Sequence, residues 1–233
     1  SLGLPVVRVQ HHLAHILACL LEHGGGPDRV LGVAWDGTGH GSDGTVWGGE
    51  FIVVDRVART ARRVAHLRPF RLPGGEAAVR EPRRSALGLL HELFAGDLAR
   101  IEPLAAALGL RANETPVLES LLARGLHAPV TTSAGRLFDG VAALLGLRQR
   151  SSFEGQAAME VEFAAGQAAA GGEPWPMPVI EAGAGQCRQI DWRPALAAIL
   201  QARGTASSAV LAARFHASLA RCIADVAERT GLP

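Results

Sequence analysis

The chain has no lysine and no tyrosine; all 23 of its basic residues are arginine. A GC-rich coding bias accounts for the skew, and its chemical consequence holds regardless. No side chain here can form a Schiff base or act as the lysine of a phosphate-binding loop, which leaves arginine and backbone amides to hold anions. Cysteine is scarce too: Cys19, Cys187 and Cys222 lie far apart, are odd in number and make no CxxC pair. That excludes a cysteine zinc knuckle within this sequence and argues against a disulfide scaffold. No apolar run approaches membrane-spanning length, and the start has no basic-then-apolar signal pattern. A formal net charge of +1 gives no bulk electrostatic case for nucleic acid or a membrane surface. A cytoplasmic protein, kept reduced and free of membrane, is the expectation.

What is present is 233 residues with 48% hydrophobic content, enough for a substantial core in one large domain or two lobes. Leu4–Val9 reads as a short strand and His11–Glu22 as a helix stopped by Gly24-Gly25-Gly26. Val30–Trp35 reads as a buried strand that delivers Asp36 at its C-terminal end, the sheet edge where ligands of α/β proteins gather. Thr45–Val54 pairs back on it as a third strand. The Pro- and Gly-punctuated stretch from Leu67 to Glu81 is expected to be an ordered loop. Short helices at Ser85–Phe94, Pro103–Leu108 and Thr115–Ala123 suggest a helical lobe. Further helices follow at Gly135–Leu147, Gly155–Ala170, Ala195–Gln201 and Ser207–Arg229, with an edge strand in Met177–Ile180. The expected division is residues 1–66 as a metal- and phosphate-binding α/β lobe, 67–150 as a helical insertion and 151–233 as the start of a second α/β lobe.

Two clusters carry chemistry. In Gln10-His11-His12-Leu13-Ala14-His15, His11 and His15 stand one turn apart on one helix face, where both reach a single metal. Such pairs also occur on helices that bind nothing, and Asp36 strengthens the metal reading by offering a carboxylate from the next strand. His12 points about 100° away on an ideal helix, so packing or a hydrogen bond is expected of it, with contact to a phosphate as the alternative. The second cluster is Trp35-Asp36-Gly37-Thr38-Gly39-His40-Gly41-Ser42-Asp43-Gly44. A plain hairpin turn explains Asp43-Gly44 but not the earlier glycines, which suit backbone amides cradling a phosphate.

Other residues read two ways. Arg80 is either solvated or an anion clamp through two parallel hydrogen bonds. Arg136 and Asp139, one turn apart, suit an internal ion pair as well as a ligand site. Ser152 to Glu160 opens a helix, with Ser152 as cap and Glu154 in the first turn, or with Glu154 and Gly155 close to a ribose or adenine. His216 is read as a packed helix residue.

These blocks, with Trp47-Gly48-Gly49-Glu50, Leu67–Pro82 and Thr131-Thr132-Ser133-Ala134-Gly135-Arg136-Leu137-Phe138-Asp139 in the same order, resemble the HypF family of hydrogenase-maturation carbamoyltransferases. More distantly the chain is similar to the antibiotic O-carbamoyltransferases and the universal tRNA threonylcarbamoyl-transferases, which share the HxxxH metal site. The resemblance implies an α/β domain of the actin, Hsp70 and sugar-kinase type (ASKHA), partial, with a helical lobe inserted. It implies a divalent metal, zinc or iron, with ATP and carbamoyl adenylate bound between lobes.

The implied reaction is ligase-type: carbamoyl phosphate and ATP give carbamoyl adenylate. Its carbamoyl group passes to the C-terminal cysteine thiolate of a HypE-type partner for cyanide-ligand synthesis. By the same resemblance His11, His15 and Asp36 are metal ligands. Gly37, Thr38 and Gly39 lie at the phosphates, and Asp139, Glu154 and Gly155 lie near the nucleoside. Arg80 and Arg136 bind the carbamoyl or phosphate group. The family's upstream domains and its later phosphate loop with a last aspartate ligand are not in this sequence, so three of four expected ligands are. A small-molecule O-carbamoyltransferase and a noncatalytic actin-like nucleotide-binding module are the alternatives.

Overall fold

A computed structural model describes residues 8–24, 26–168, 172–181, 183 and 186–232. Along the chain these form α1 (His11–Glu22), β1 (Arg29–His40), β2 (Val46–Asp55), β3 (Thr60–Leu67), β4 (Phe70–Arg71), α2 (Glu76–Arg80), α3 (Pro82–Phe94), α4 (Leu98–Ala107), α5 (Glu114–Arg124), β5 (Val130–Thr131), α6 (Ala134–Leu144), α7 (Gln156–Gly166), β6 (Val179–Ile180), β7 (Arg188–Ile190), α8 (Arg193–Ala202) and α9 (Ser208–Thr230). One seven-stranded sheet runs β4-β5-β2-β3-β7-β6, with β1 paired antiparallel to β2. Among the described residues no helix is long and apolar enough to cross a membrane.

Side-chain alternation along β1 decides where the chemistry goes. Val30 and Ala34, with Ile52 and Val54 of β2, form a small cluster against Ile16, Leu13, Leu17 and Leu20 of α1. Leu31, Val33 and Trp35 face the other way, onto the main core of Phe51, Leu89, Leu137, Val141, Trp192 and Phe215. The same parity puts Asp36 on the α1 face and Gly37 on the face where α6 packs.

α1 spans the residues expected of it, with Gln10 rather than a serine or aspartate as N-cap; its amide oxygen takes the Leu13 N–H at 3.0 Å. Other expectations need correction. The strand placed at Leu4–Val9 begins outside the described residues, and Arg8 and Val9 are not in a strand. β1 does not end at Trp35: it continues to His40 through a register shift between Trp35 and Gly39, so Asp36 sits inside the strand. The supposed loop at Leu67–Glu81 holds β4 and α2. α4 starts at Leu98 because Asp97 caps it, its carboxylate accepting the Ala99 N–H at 3.1 Å; Pro103 lies within the helix instead of opening it. Ser152 does not cap α7. Gly155 is the N-cap residue, at φ +81°, a left-handed conformation that glycine adopts without strain.

Candidate metal centre and adjoining cleft

α1 crosses β1 closely enough for its histidines to meet Asp36, and glycine permits the approach. A Cβ on Gly39 would lie 2.4 Å from His12 Cε1 and 2.8 Å from His11 Cδ2. His11 Nε2 lies 2.8 Å from Asp36 Oδ2, and His15 Nε2 lies 3.3 Å from His11 Nε2. One ligating atom from each of His11, His15 and Asp36 falls within 4.8 Å of the others. Tetrahedral zinc with bonds of about 2.0–2.1 Å keeps its donor atoms about 3.3 Å apart. The observed spacings therefore fit a cation with small adjustments of the Asp36 carboxylate. Two imidazoles and one carboxylate suit zinc and iron alike.

His12 is fully buried and supports the site from behind. Gln10 Nε2 donates to His12 Nδ1 at 2.8 Å, the amide orientation being set by Gln10 Oε1 on the Leu13 N–H. With Nδ1 accepting, the ring proton is on Nε2, which donates to Asp36 Oδ1 at 3.3 Å. Partial burial works to raise the Asp36 carboxyl, but its contacts with His12 and His11 outweigh that and hold it below its ordinary value. The ligand is thus ionised and oriented before a cation arrives.

On the other side of β1 a cleft of about 270 Å³ opens between the strand, α6 and the start of α7. Its walls include Asp36, Gly37, Arg136, Asp139, Glu154 and Gly155. The Ser133 hydroxyl caps α6 by accepting the Arg136 N–H at 3.1 Å, and it reaches the carbonyls of Asp36 at 3.0 Å and Gly37 at 2.7 Å. α6 is thereby tied to Asp36, which faces the histidines, and to its neighbour Gly37. Arg136 NH1 lies 2.8 Å from Asp139 Oδ2, with both side chains buried. The contact is not a hydrogen bond: among the described residues Asp139 Oδ2 and Arg136 Nε have no such partner, nor has Trp35 Nε1 on the cleft wall. Burial pushes the Asp139 carboxyl up to about 7; Arg136 pulls it down, and Glu154 adds to the rise.

That shift has a sign. Between the ordinary value near 3.8 and about 7 the native state binds more protons at Asp139 than the unfolded chain does. Its contribution to stability is complete at low pH and is lost as pH rises through that window. In thermal melts from pH 4.5 to 7.5, Asp139→Asn is expected to flatten the decline relative to the unsubstituted chain. Parallel curves would contradict the shift.

The structure thus brings together eight of the residues singled out in the sequence: His11, His15, Asp36, Gly37, Arg136, Asp139, Glu154 and Gly155. It does not bring in three others. Thr38 is exposed, its hydroxyl donating to the Gly37 carbonyl at 2.6 Å. Gly39 is covered by His11 and His12. Arg80 is exposed in a separate crevice with Glu81, Arg150 and Ser151. Sequence reasoning missed the Asp36 contacts of His12 and Ser133; for Ser133, a hydroxyl just before Ala-Gly-Arg was the available sign of a cap.

Fold and site define the class first: an α/β domain of the actin, Hsp70 and sugar-kinase type with a histidine–carboxylate cluster beside a cleft. The family model described as "Carbamoyltransferase, Kae1-like Domain, second subdomain" matches residues 32–232. The chain belongs to the HypF carbamoyltransferase family. Carbamoyltransferase HypF of Synechocystis is 39% identical over 99% of this chain and 31% of its own length. HypF2 of Cupriavidus necator is 46% identical over 69% of this chain and 19% of its own. A structure of full-length HypF in a phosphate- and nucleotide-bound form matches with a TM-score of 0.83 at 32% identity, over all of this chain and 30% of that one. HypF of T. kodakarensis matches at 0.82 and 28% identity. The chain spans less than a third of the length of these relatives.

Proposed function

We propose that this chain supplies the cation site and one wall of the nucleotide cleft of a HypF carbamoyltransferase. The proposed reaction passes the carbamoyl group of carbamoyl adenylate, made from carbamoyl phosphate and ATP, to the C-terminal cysteine of a HypE-type partner. The observation that carries this reading is the convergence of His11, His15 and Asp36 donor atoms on the strand that also lines the cleft. The orphaned Arg136 Nε, Asp139 Oδ2 and Trp35 Nε1 fit a polar ligand there, because buried polar atoms need partners.

A bound divalent cation would supply Lewis-acid stabilisation of negative charge on a phosphate or carbamoyl oxygen. The remaining roles fall to side chains. His11, His15 and Asp36 hold the cation; His12 keeps Asp36 in place through its Nε2 proton. Arg136, prearranged by the Ser133 cap, offers positive charge to the phosphate side as AMP departs. Asp139 and Glu154 accept hydrogen bonds from the nucleoside. The partner's thiolate sulfur bonds to the carbamoyl carbon, the bond from that carbon to the phosphate oxygen breaks, and AMP leaves with the electron pair. A thiolate is already a strong nucleophile, so no general base is required of this chain.

The test is transfer of labelled carbamoyl from carbamoyl phosphate, with ATP, by the intact HypF protein carrying this sequence. Label on a peptide ending in cysteine is the expected result. Label on a sugar hydroxyl instead would point to small-molecule O-carbamoylation. Tight nucleotide binding with no transfer would point to a noncatalytic module.

A further inference from the structure

Glu50 is a carboxylate in the middle of β2, in a run whose side chains are all buried, and it is itself fully buried. Such a group needs its charge and lone pairs matched, and here they are. Oε2 accepts from Arg63 Nε at 2.5 Å. Oε1 accepts the N–H groups of Gly48 and Gly49, each at 3.3 Å, and the Thr132 hydroxyl. Arg63 is held in turn by Asp43 at 3.2 Å and by the Trp47 ring, 4.0 Å from its centroid. The proposed reaction makes no use of this network.

Its position relative to Asp36 does have a use. The β1–β2 register pairs Trp35 with Gly49 and Gly39 with Trp47, so residues 36–38 bulge opposite Gly48 alone. No ladder pairing fixes Asp36, although a bulge is what aims its side chain. Two supports replace the ladder, and both begin at Glu50. Gly48 forms a floor, since a Cβ there would lie 2.7 Å from both the carbonyl oxygen and Oδ1 of Asp36. Thr132 leads into Ser133, whose hydroxyl holds the Asp36 and Gly37 carbonyls.

We propose that Glu50 is a positioning residue that sets Asp36 for cation binding by fixing Gly48 on one side and the Thr132–Ser133 pair on the other. This rests on the metal assignment above. It is tested by zinc dissociation constants, from chelator competition on the 233-residue chain, measured beside melting temperatures. Glu50→Gln keeps the shape and removes the charge; it is expected to weaken zinc binding by about 10–100-fold, the range for residues behind metal ligands. Thr132→Val, which removes one of the Glu50 contacts, is expected to weaken it by about tenfold. Glu119→Gln serves as the comparison. Glu119 is a buried glutamate of α5, 2.6 Å from His91, and its loss should lower the melting temperature while zinc affinity stays unchanged. Wild-type affinity in both Glu50→Gln and Thr132→Val would overturn the proposal, however far the melting temperature falls. If Glu50→Gln does not fold, Thr132→Val decides alone. Failure of the unsubstituted chain to bind zinc would overturn the metal assignment, and this inference with it.

Discussion

Replacing His15 by alanine is expected to remove the bound cation. Its Nε2 is one of three donors, and the remaining pair, His11 and Asp36, lie 2.8 Å apart and satisfy each other without a metal. Loss of a direct ligand exceeds the effect of altering a residue behind it, so affinity should fall by more than about 100-fold. Metal analysis after dialysis should find about one ion per unsubstituted chain and almost none in His15→Ala. Carbamoyl transfer by the intact protein should fall with it. His15 is exposed, so the fold should be kept. Full metal occupancy in the variant would show that the cluster is not the cation site.

Gly135→Ala is expected to damage both stability and site. A Cβ at that position would lie 2.7 Å from the Gly37 Cα, 3.1 Å from the Asp36 carbonyl oxygen and 3.2 Å from the Gly37 nitrogen. These are backbone atoms and cannot rotate aside, so α6 or β1 must shift. Overpacking of this kind costs about 1–3 kcal/mol, more than the roughly 1 kcal/mol that alanine gains over glycine within a helix. At this chain length each kcal/mol moves the melting temperature by about 2–4 °C. The shift would also displace Asp36, lowering cation affinity. Gly166→Ala, at the end of α7 with no atom of the described residues within 4 Å of the added carbon, should be neutral or stabilising. Equal melting temperatures for the two variants would contradict the close α6–β1 contact.

Legibility in the sequence followed the range of the interactions. α1 was readable because its signals are local: apolar residues at helical spacing and glycines after its end. The His11/His15 pair was readable from spacing, and Asp36 from the apolar run before it. The end of β1 was not, because Gly37-Thr38-Gly39 has loop composition, and only the return of Gly39 and His40 to pairing with β2 beyond the bulge, with α1 and α6 packed on the two faces, makes it strand. β3 was missed because Arg62-Arg63 interrupts its apolar alternation; one of those arginines turns inward to Glu50. Arg136 and Asp139 make the internal ion contact that their spacing suited, and the same two residues line the cleft. His12 was expected to pack or hydrogen-bond, and it does both, but its partner Asp36 is 24 residues away. Glu50 is further from view, with partners 13 and 82 residues away. Arg80 read equally as a solvated residue or an anion clamp, and it ends α2 exposed, in a crevice separate from the cleft.

The most direct measurement is a crystal structure of the chain with anomalous scattering recorded at the zinc and iron edges. A single peak bonded to His11 Nε2, His15 Nε2 and an Asp36 oxygen, each at about 2.0–2.2 Å, is the expected result, and the responding edge names the element. Rings of His11 and His15 turned away from Asp36, or a metal peak elsewhere with none between them, would contradict it.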